Sequence, residues 1–204
     1  YWRDRLSAQG VAALSEDTFL GEARLGFDGP DGDRFALVES DPQGRAPWTG
    51  TDVPEDAGIL GFRGARFALR DAAATGELLT YMGYQKGETE GAVTRYVVEG
   101  GNAADGIDLE ELPGAAGANQ GAGSVHHIAF AVEDRAAQLE VRRALLDTGY
   151  QVTPVIDRDY FWAIYFRTPG GVLFEIATNE PGFDRDEDTA NLGQALKLPT
   201  RYEA

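Results

Sequence analysis

The feature that most constrains this chain is that it repeats itself. Phe27-Asp28-Gly29-Pro30-Asp31-Gly32-Asp33-Arg34-Phe35-Ala36-Leu37 is echoed 139 residues later by Phe166-Arg167-Thr168-Pro169-Gly170-Gly171-Val172-Leu173-Phe174-Glu175-Ile176. Each segment reads as a strand, a Pro-Gly-type turn and a returning strand, the signature of a hairpin. The offset holds without a gap back to Gly10 and Gly149, each placed where a helical pattern ends. A third copy lies between them: Phe67-Ala68-Leu69-Arg70-Asp71 matches Phe130-Ala131-Val132-Glu133-Asp134, and Met82-Gly83-Tyr84-Gln85 echoes Thr148-Gly149-Tyr150-Gln151. Each copy reads as strand, Asp N-cap, helix, Gly at the helix C-terminus, then further strands. In the last copy Ala137, Val141 and Leu145 form an apolar stripe for covering a sheet. The unit is βαβββ, the first copy lacks its opening strand, and the class is α+β.

Two connections, Asp41 to Gly58 and Leu112 to Gly123, are rich in Gly with Pro, Asp or Ala, lack apolar periodicity and read as surface segments. The second is no phosphate cradle, because the Lys-Ser/Thr of a P-loop is missing and no GxGxxG follows a strand. With no cysteine there is no disulfide framework, no Cys-ligated zinc or iron–sulfur site and no thiol nucleophile. The balance of 34 Asp and Glu against 18 Lys and Arg gives a formal charge of −16, which repels phosphate backbones and anionic lipid heads. No nucleic-acid or membrane partner is expected. No apolar run approaches the roughly 18–20 residues of a membrane span and nothing resembles a signal peptide, so the expected location is cytoplasmic. Lys86 and Lys197 are the only lysines, a balance that suits a high-salt cytoplasm or an Arg-biased genome alike. The sequence opens Tyr1-Trp2-Arg3-Asp4 without a methionine, which reads as a chain taken from a longer protein.

The two histidines, His126 and His127, are adjacent in an expected strand from Val125 to Val132. Neighbouring strand side chains point to opposite faces, so they do not both ligate one metal in the simple geometry. His127 shares its face with Ala129 and Ala131, which leave room around it, and is the better candidate ligand. An isolated strand histidine is more often a hydrogen-bonded structural residue. Glu175 shifts that balance: it interrupts the otherwise apolar Val172-Leu173-Phe174-Glu175-Ile176-Ala177, where an ionised carboxylate costs several kcal/mol unless paired or metal-bound. The equivalent position in the first copy is Ala36, so the fold does not require the acid; the plainer alternative is an edge-strand Glu in solvent. Arg158 and Tyr165 flank a turn near Asp159-Tyr160 and are unremarkable by themselves, an ordinary ion pair and a packing aromatic. Asp184, Asp186 and Asp188 look like the start of a calcium loop, but the central Gly is missing and Ala195 stands where the closing Glu belongs, which leaves a solvated acidic segment.

Repeated βαβββ units, Val125-His126-His127-Ile128-Ala129-Phe130 and Leu173-Phe174-Glu175-Ile176 together resemble the vicinal oxygen chelate superfamily of glyoxalases, fosfomycin and bleomycin resistance proteins and extradiol dioxygenases. Pro181-Gly182-Phe183-Asp184, Asp186-Glu187-Asp188 and Leu192-Gly193-Gln194-Ala195-Leu196-Lys197-Leu198-Pro199 are similar to the C-terminus of its hydroquinone-type ring-cleaving dioxygenases. The resemblance implies modules that form cupped mixed sheets and a 2-His-1-carboxylate site for iron(II), with manganese or another divalent metal as the alternative. It implies metal ligands at His127 and Glu175, catalytic roles for Tyr165 and His126, and substrate binding by Arg158. The third His would come from a first module outside this chain. The expected organisation is the second half of a module over 1–46, a linker over 47–58, and a third module over 59–111 with Gly64 in the ligand's place. A Gly/Ala-rich linker over 112–123, a fourth module over 124–180 and a tail over 181–204 follow. The implied partners are a small aromatic substrate, O₂ and further copies in a homo-oligomer. The implied reaction is ring cleavage of hydroquinone-like compounds, with this chain alone binding iron weakly and inactive. Alternatives on the same scaffold are a glyoxalase-like metal-dependent isomerase or transferase and a non-catalytic, bleomycin-resistance-like binding protein.

Overall fold

A computed structural model describes residues 1–48, 50, 52–100, 104 and 106–202; the other positions, which fall within the expected 47–58 linker, third module and tail, lie outside the described residues. The chain divides into two compact units, Tyr1–Val125 and His126–Ala204. In the first, helix α1 (Trp2–Ala8) precedes β1 (Ser15–Phe19), β2 (Glu22–Asp28) and β3 (Arg34–Val38), an antiparallel sheet in that order. The same unit continues with β4 (Gly64–Leu69), α2 (Ala73–Tyr81), β5 (Gln85–Glu90), β6 (Val93–Val97) and β7 (Gly106–Glu111). These form a mixed sheet ordered β4-β7-β6-β5, with β4 parallel to β7. The second unit holds β8 (Ile128–Val132), α3 (Arg135–Asp147), β9 (Ile156–Asp157), β10 (Phe161–Arg167) and β11 (Leu173–Pro181). Its sheet is ordered β8-β11-β10-β9, with β8 parallel to β11. The molecule is α+β with open mixed sheets, as the sequence leads one to expect.

The repeat extends to individual backbone bonds. In the β2–β3 hairpin Gly26 faces Ala36 and Phe27 faces Phe35; in β10–β11 Tyr165 faces Glu175 and Phe166 faces Phe174. The turns match as well: Gly29 N donates to Asp33 O at 2.7 Å and Thr168 N to Val172 O at 2.9 Å. Each turn contains a glycine with left-handed backbone, Gly32 at φ +87° and Gly171 at φ +86°, a conformation that a Cβ would strain.

Helix α3 shows how the second unit closes. Asp134 caps it by accepting from Ala137 N at 2.8 Å, and its last turn ends with Tyr150 N donating to Leu145 O and Gly149 N to Leu146 O. The expected Asp cap on α2 is displaced by one residue: Ala72 holds the cap position and Asp71 instead accepts from Ala73 N at 2.9 Å. The buried centre of α3 is Leu145 together with a polar residue, Gln138, which is 0% exposed. Gln138 Nε2 donates to Trp162 O at 2.7 Å and Ile176 O at 2.8 Å, where β10 bulges between Phe161 and Ala163. Beneath the helix lie Ile164, Phe166, Phe174 and Ile176, all buried; full burial of such side chains contributes about 1.5–3 kcal/mol each. Strand parity then sends Ala129, Ala131, Tyr165, Glu175 and Ala177 to the opposite face.

Candidate functional site

That opposite face carries the candidate chemistry. Glu175 lies on β11 between two partner strands, facing Ala129 of β8 on one side and Tyr165 of β10 on the other. It is 3% exposed, so it is a central-strand carboxylate and not a solvated edge residue. The expected strand from Val125 starts three residues later, at Ile128, which leaves both histidines on the segment entering the sheet. His127 Nε2 stands 2.7 Å from Glu175 Oε2. Its other ring nitrogen, Nδ1, lies 2.8 Å from His126 Nδ1, so His126 fixes the imidazole from behind.

Tyr165 joins the same group. Its ring meets that of His127 edge-on at 5.9 Å, and its hydroxyl accepts from an Arg158 guanidinium N–H at 3.1 Å. Arg158 therefore turns to the phenol and not to the aspartates beside it. The turn that presents it is held by Arg158 N donating to Phe161 O at 2.9 Å and by Asp159 in a left-handed conformation at φ +66°. Burial pushes the Tyr165 hydroxyl above its ordinary range; the Arg158 guanidinium opposes that rise and the Glu175 carboxylate adds to it. The phenol is thus protonated at neutral pH and able to donate.

The structure brings His126, His127, Arg158, Tyr165 and Glu175 into one connected group. Of these, His127 and Glu175 also line a cavity of about 380 Å³, a size at the small end of ligand pockets. An imidazole nitrogen and a buried carboxylate oxygen converging at a cavity wall are donors suited to iron, manganese or zinc. Among the described residues no group of three or more His, Cys, Asp or Glu is placed to hold a metal, so these residues fit two positions of such a site. Asp184 and Asp186 are engaged locally instead, accepting from Thr189 and Tyr160 hydroxyls at 3.1 Å. The aromatic wall of the cavity, Tyr160, Phe161 and Phe183, carries no local sequence signal, because Phe183 reaches it from the tail beyond β11.

A model of the Glyoxalase/Bleomycin resistance protein/Dioxygenase superfamily matches residues 58–176. Over 204 residues the chain is 40% identical to MhqO of Bacillus subtilis, which bears the name of a ring-cleaving dioxygenase, and covers 64% of that protein. It is 32% identical over 213 residues to the chlorohydroquinone/hydroquinone 1,2-dioxygenase of Sphingobium indicum, covering 65% of it. A solved B. subtilis structure described as a dioxygenase superposes with a TM-score of 0.91 at 40% identity, over 99% of this chain and 64% of that one. The chain thus spans a little under two thirds of the length of these relatives. No described helix is long and apolar enough to cross a membrane.

Proposed function

The chain belongs to the glyoxalase/bleomycin resistance protein/dioxygenase superfamily, and from that premise we propose that it contributes the greater part of the site of an iron(II)-dependent dioxygenase that opens hydroquinone-like rings with O₂. The observation that carries the reading is His127 Nε2 at 2.7 Å from the buried Glu175 carboxylate, at the wall of a cavity. The names of the relatives support ring cleavage over isomerisation or ligand sequestration.

His127 and Glu175 would hold the metal, and a third histidine from outside these 204 residues would complete the 2-His-1-carboxylate face. A redox-active metal bound by these residues would supply the electron transfer between ring and O₂ that ring opening requires. His126 keeps the Nδ1 side of His127 occupied, so Nε2 is the nitrogen presented to the site. Tyr165, protonated and supported by Arg158, donates a hydrogen bond or a proton to an oxygen of the bound ring, with His126 as a further acid/base group. Arg158 adds a fixed positive charge that orients a phenolate. With two donors only, the isolated chain would bind iron weakly and turn over little.

The test is iron content and O₂ uptake with hydroquinone in protein extended to the length of its relatives, comparing wild type with His127→Ala and Glu175→Ala. Each substitution should lower uptake by about 100-fold or more and strip the iron. Undiminished uptake in both variants rejects the assignment.

A further inference from the structure

The cavity beside His127 and Glu175 has a floor and a wall of sharply different character. The floor is Ala129, Ala131 and Ala177, with Ala131 facing Ala177 across the β8–β11 pair. The fold does not impose the alanines at 129 and 177. In the β4–β7 pair the positions corresponding to Ala129, Ala131 and Ala177 are Arg66, Ala68 and Glu110, and in β3 the counterpart of Ala177 is Val38. Ala131 thus has an alanine counterpart, whereas at Ala129 and Ala177 the site sheet keeps a methyl group where the other sheet carries a charged side chain. Two residues along a strand advance about 7 Å, so the floor from Glu175 to Ala177 suits one six-membered ring.

The wall is aromatic. Phe183 stacks on Tyr160 with centroids 5.5 Å apart and planes 21° apart, and meets Phe161 at 6.2 Å. Phe183 is 63% exposed, so its ring is open to a flat ligand in the cavity that it lines. The tail that carries it is tied to the β9–β10 turn. Arg185 donates to Asp159 O, the Tyr160 hydroxyl donates to Asp186 at 3.1 Å, and Thr200 N donates to Asp159 Oδ1 at 3.2 Å.

We propose that Ala129, Ala131 and Ala177, with Phe183 of the tail, are the specificity-determining residues of this site: they seat a single flat ring and exclude bulky substituents from the edge over Ala177. This rests on the ring-cleaving reading for the identity of the ring. The experiment titrates protein labelled at alanine methyl groups with hydroquinone, methylhydroquinone and tert-butylhydroquinone, followed by NMR. Ring-current shifts are expected at the Ala129, Ala131 and Ala177 methyls with hydroquinone and methylhydroquinone, and not with the tert-butyl compound. Ala177→Leu should weaken methylhydroquinone by more than about ten-fold and hydroquinone much less. Phe183→Ala, at an exposed position that does not threaten folding, should weaken both smaller probes and admit the tert-butyl compound. Shifts centred elsewhere, no binding of any probe, or unchanged selectivity in both variants overturns the proposal. Selective binding with no O₂ uptake by the extended protein removes ring cleavage and leaves the selectivity intact. Ring cleavage with selectivity unchanged in the variants does the reverse.

Discussion

The sheets β4-β7-β6-β5 and β8-β11-β10-β9 share one topology and put opposite solutions at the same place. Where the second sheet has Glu175 between Ala129 and Tyr165, the first has Asp108 between Arg66 and Arg95. Arg95 bonds Asp108 at 2.8 Å and also Glu22 at 2.7 Å, while Arg66 approaches Asp108 at 3.5 Å. Hydrogen bonding to Asp108 holds the Arg95 guanidinium above its ordinary value. The position of His127 is taken by Gly64, where a Cβ would collide with the backbone of Gly106. Phe19 fills the remaining space, with Arg66 4.5 Å and Arg24 4.7 Å from its ring. A carboxylate on the central strand is therefore compatible with either sheet. Arginine partners and an aromatic plug turn it into a structural element, whereas an imidazole, a phenol and small neighbours leave it facing a cavity.

The largest effect that separates the two sheets is on stability. Asp108→Ala should cost about 3–5 kcal/mol by removing the carboxylate that Arg95 and Arg66 share and leaving Arg95 with Glu22 alone. Glu175→Ala should cost less than about 1 kcal/mol, because it removes a buried carboxylate that has no arginine to neutralise it. Urea unfolding of the two variants measures both, and equal losses would erase the distinction. Next in size is Gln138→Ala, which deletes the amide that bonds Trp162 O and Ile176 O beneath the site sheet; about 2–4 kcal/mol is expected from lost packing and unmet carbonyls. Smallest is the pair of helix starts. Asp134→Ala should lower stability by about 1 kcal/mol through loss of a true N-cap, and Asp71→Ala by less, since Asp71 stands outside the cap position of its helix. Thermal unfolding that ranks Asp71 above Asp134 would contradict this reading of the two caps.

The same contrast explains what the sequence made legible. Turns are written locally, so Pro-Asp-Gly and Pro-Gly-Gly announced both hairpins, and their 139-residue offset carried over to matching registers. Glu175 was conspicuous because a charge in an apolar strand demands a partner, and the alternation of Ala129 and Ala131 with bulky residues pointed to the face of His127. Other features depend on contacts between segments distant in sequence. Gln138 sits at the buried centre of α3, where the apolar stripe alone suggested Ala137, Val141 and Leu145; its role comes from a bulge in β10. Arg158 reads as a partner for its neighbouring aspartates, yet a left-handed residue at Asp159 turns the chain so that it meets Tyr165. The Asp108 network joins strands from two sheets, and Phe183 comes to the cavity from the tail, so neither had a local pattern to betray it.

The most direct measurement is a Mn(II) titration of the protein extended to the length of its relatives, followed by electron paramagnetic resonance, with wild type, Glu175→Ala and Asp108→Ala compared under conditions where all are folded. Binding should persist in Asp108→Ala and weaken by about 100-fold or more in Glu175→Ala, since Glu175 faces a cavity whereas Asp108 is held by Arg95 and Arg66. Binding that survives Glu175→Ala unchanged, or that disappears with Asp108→Ala alone, would contradict the division of roles between the two sheets.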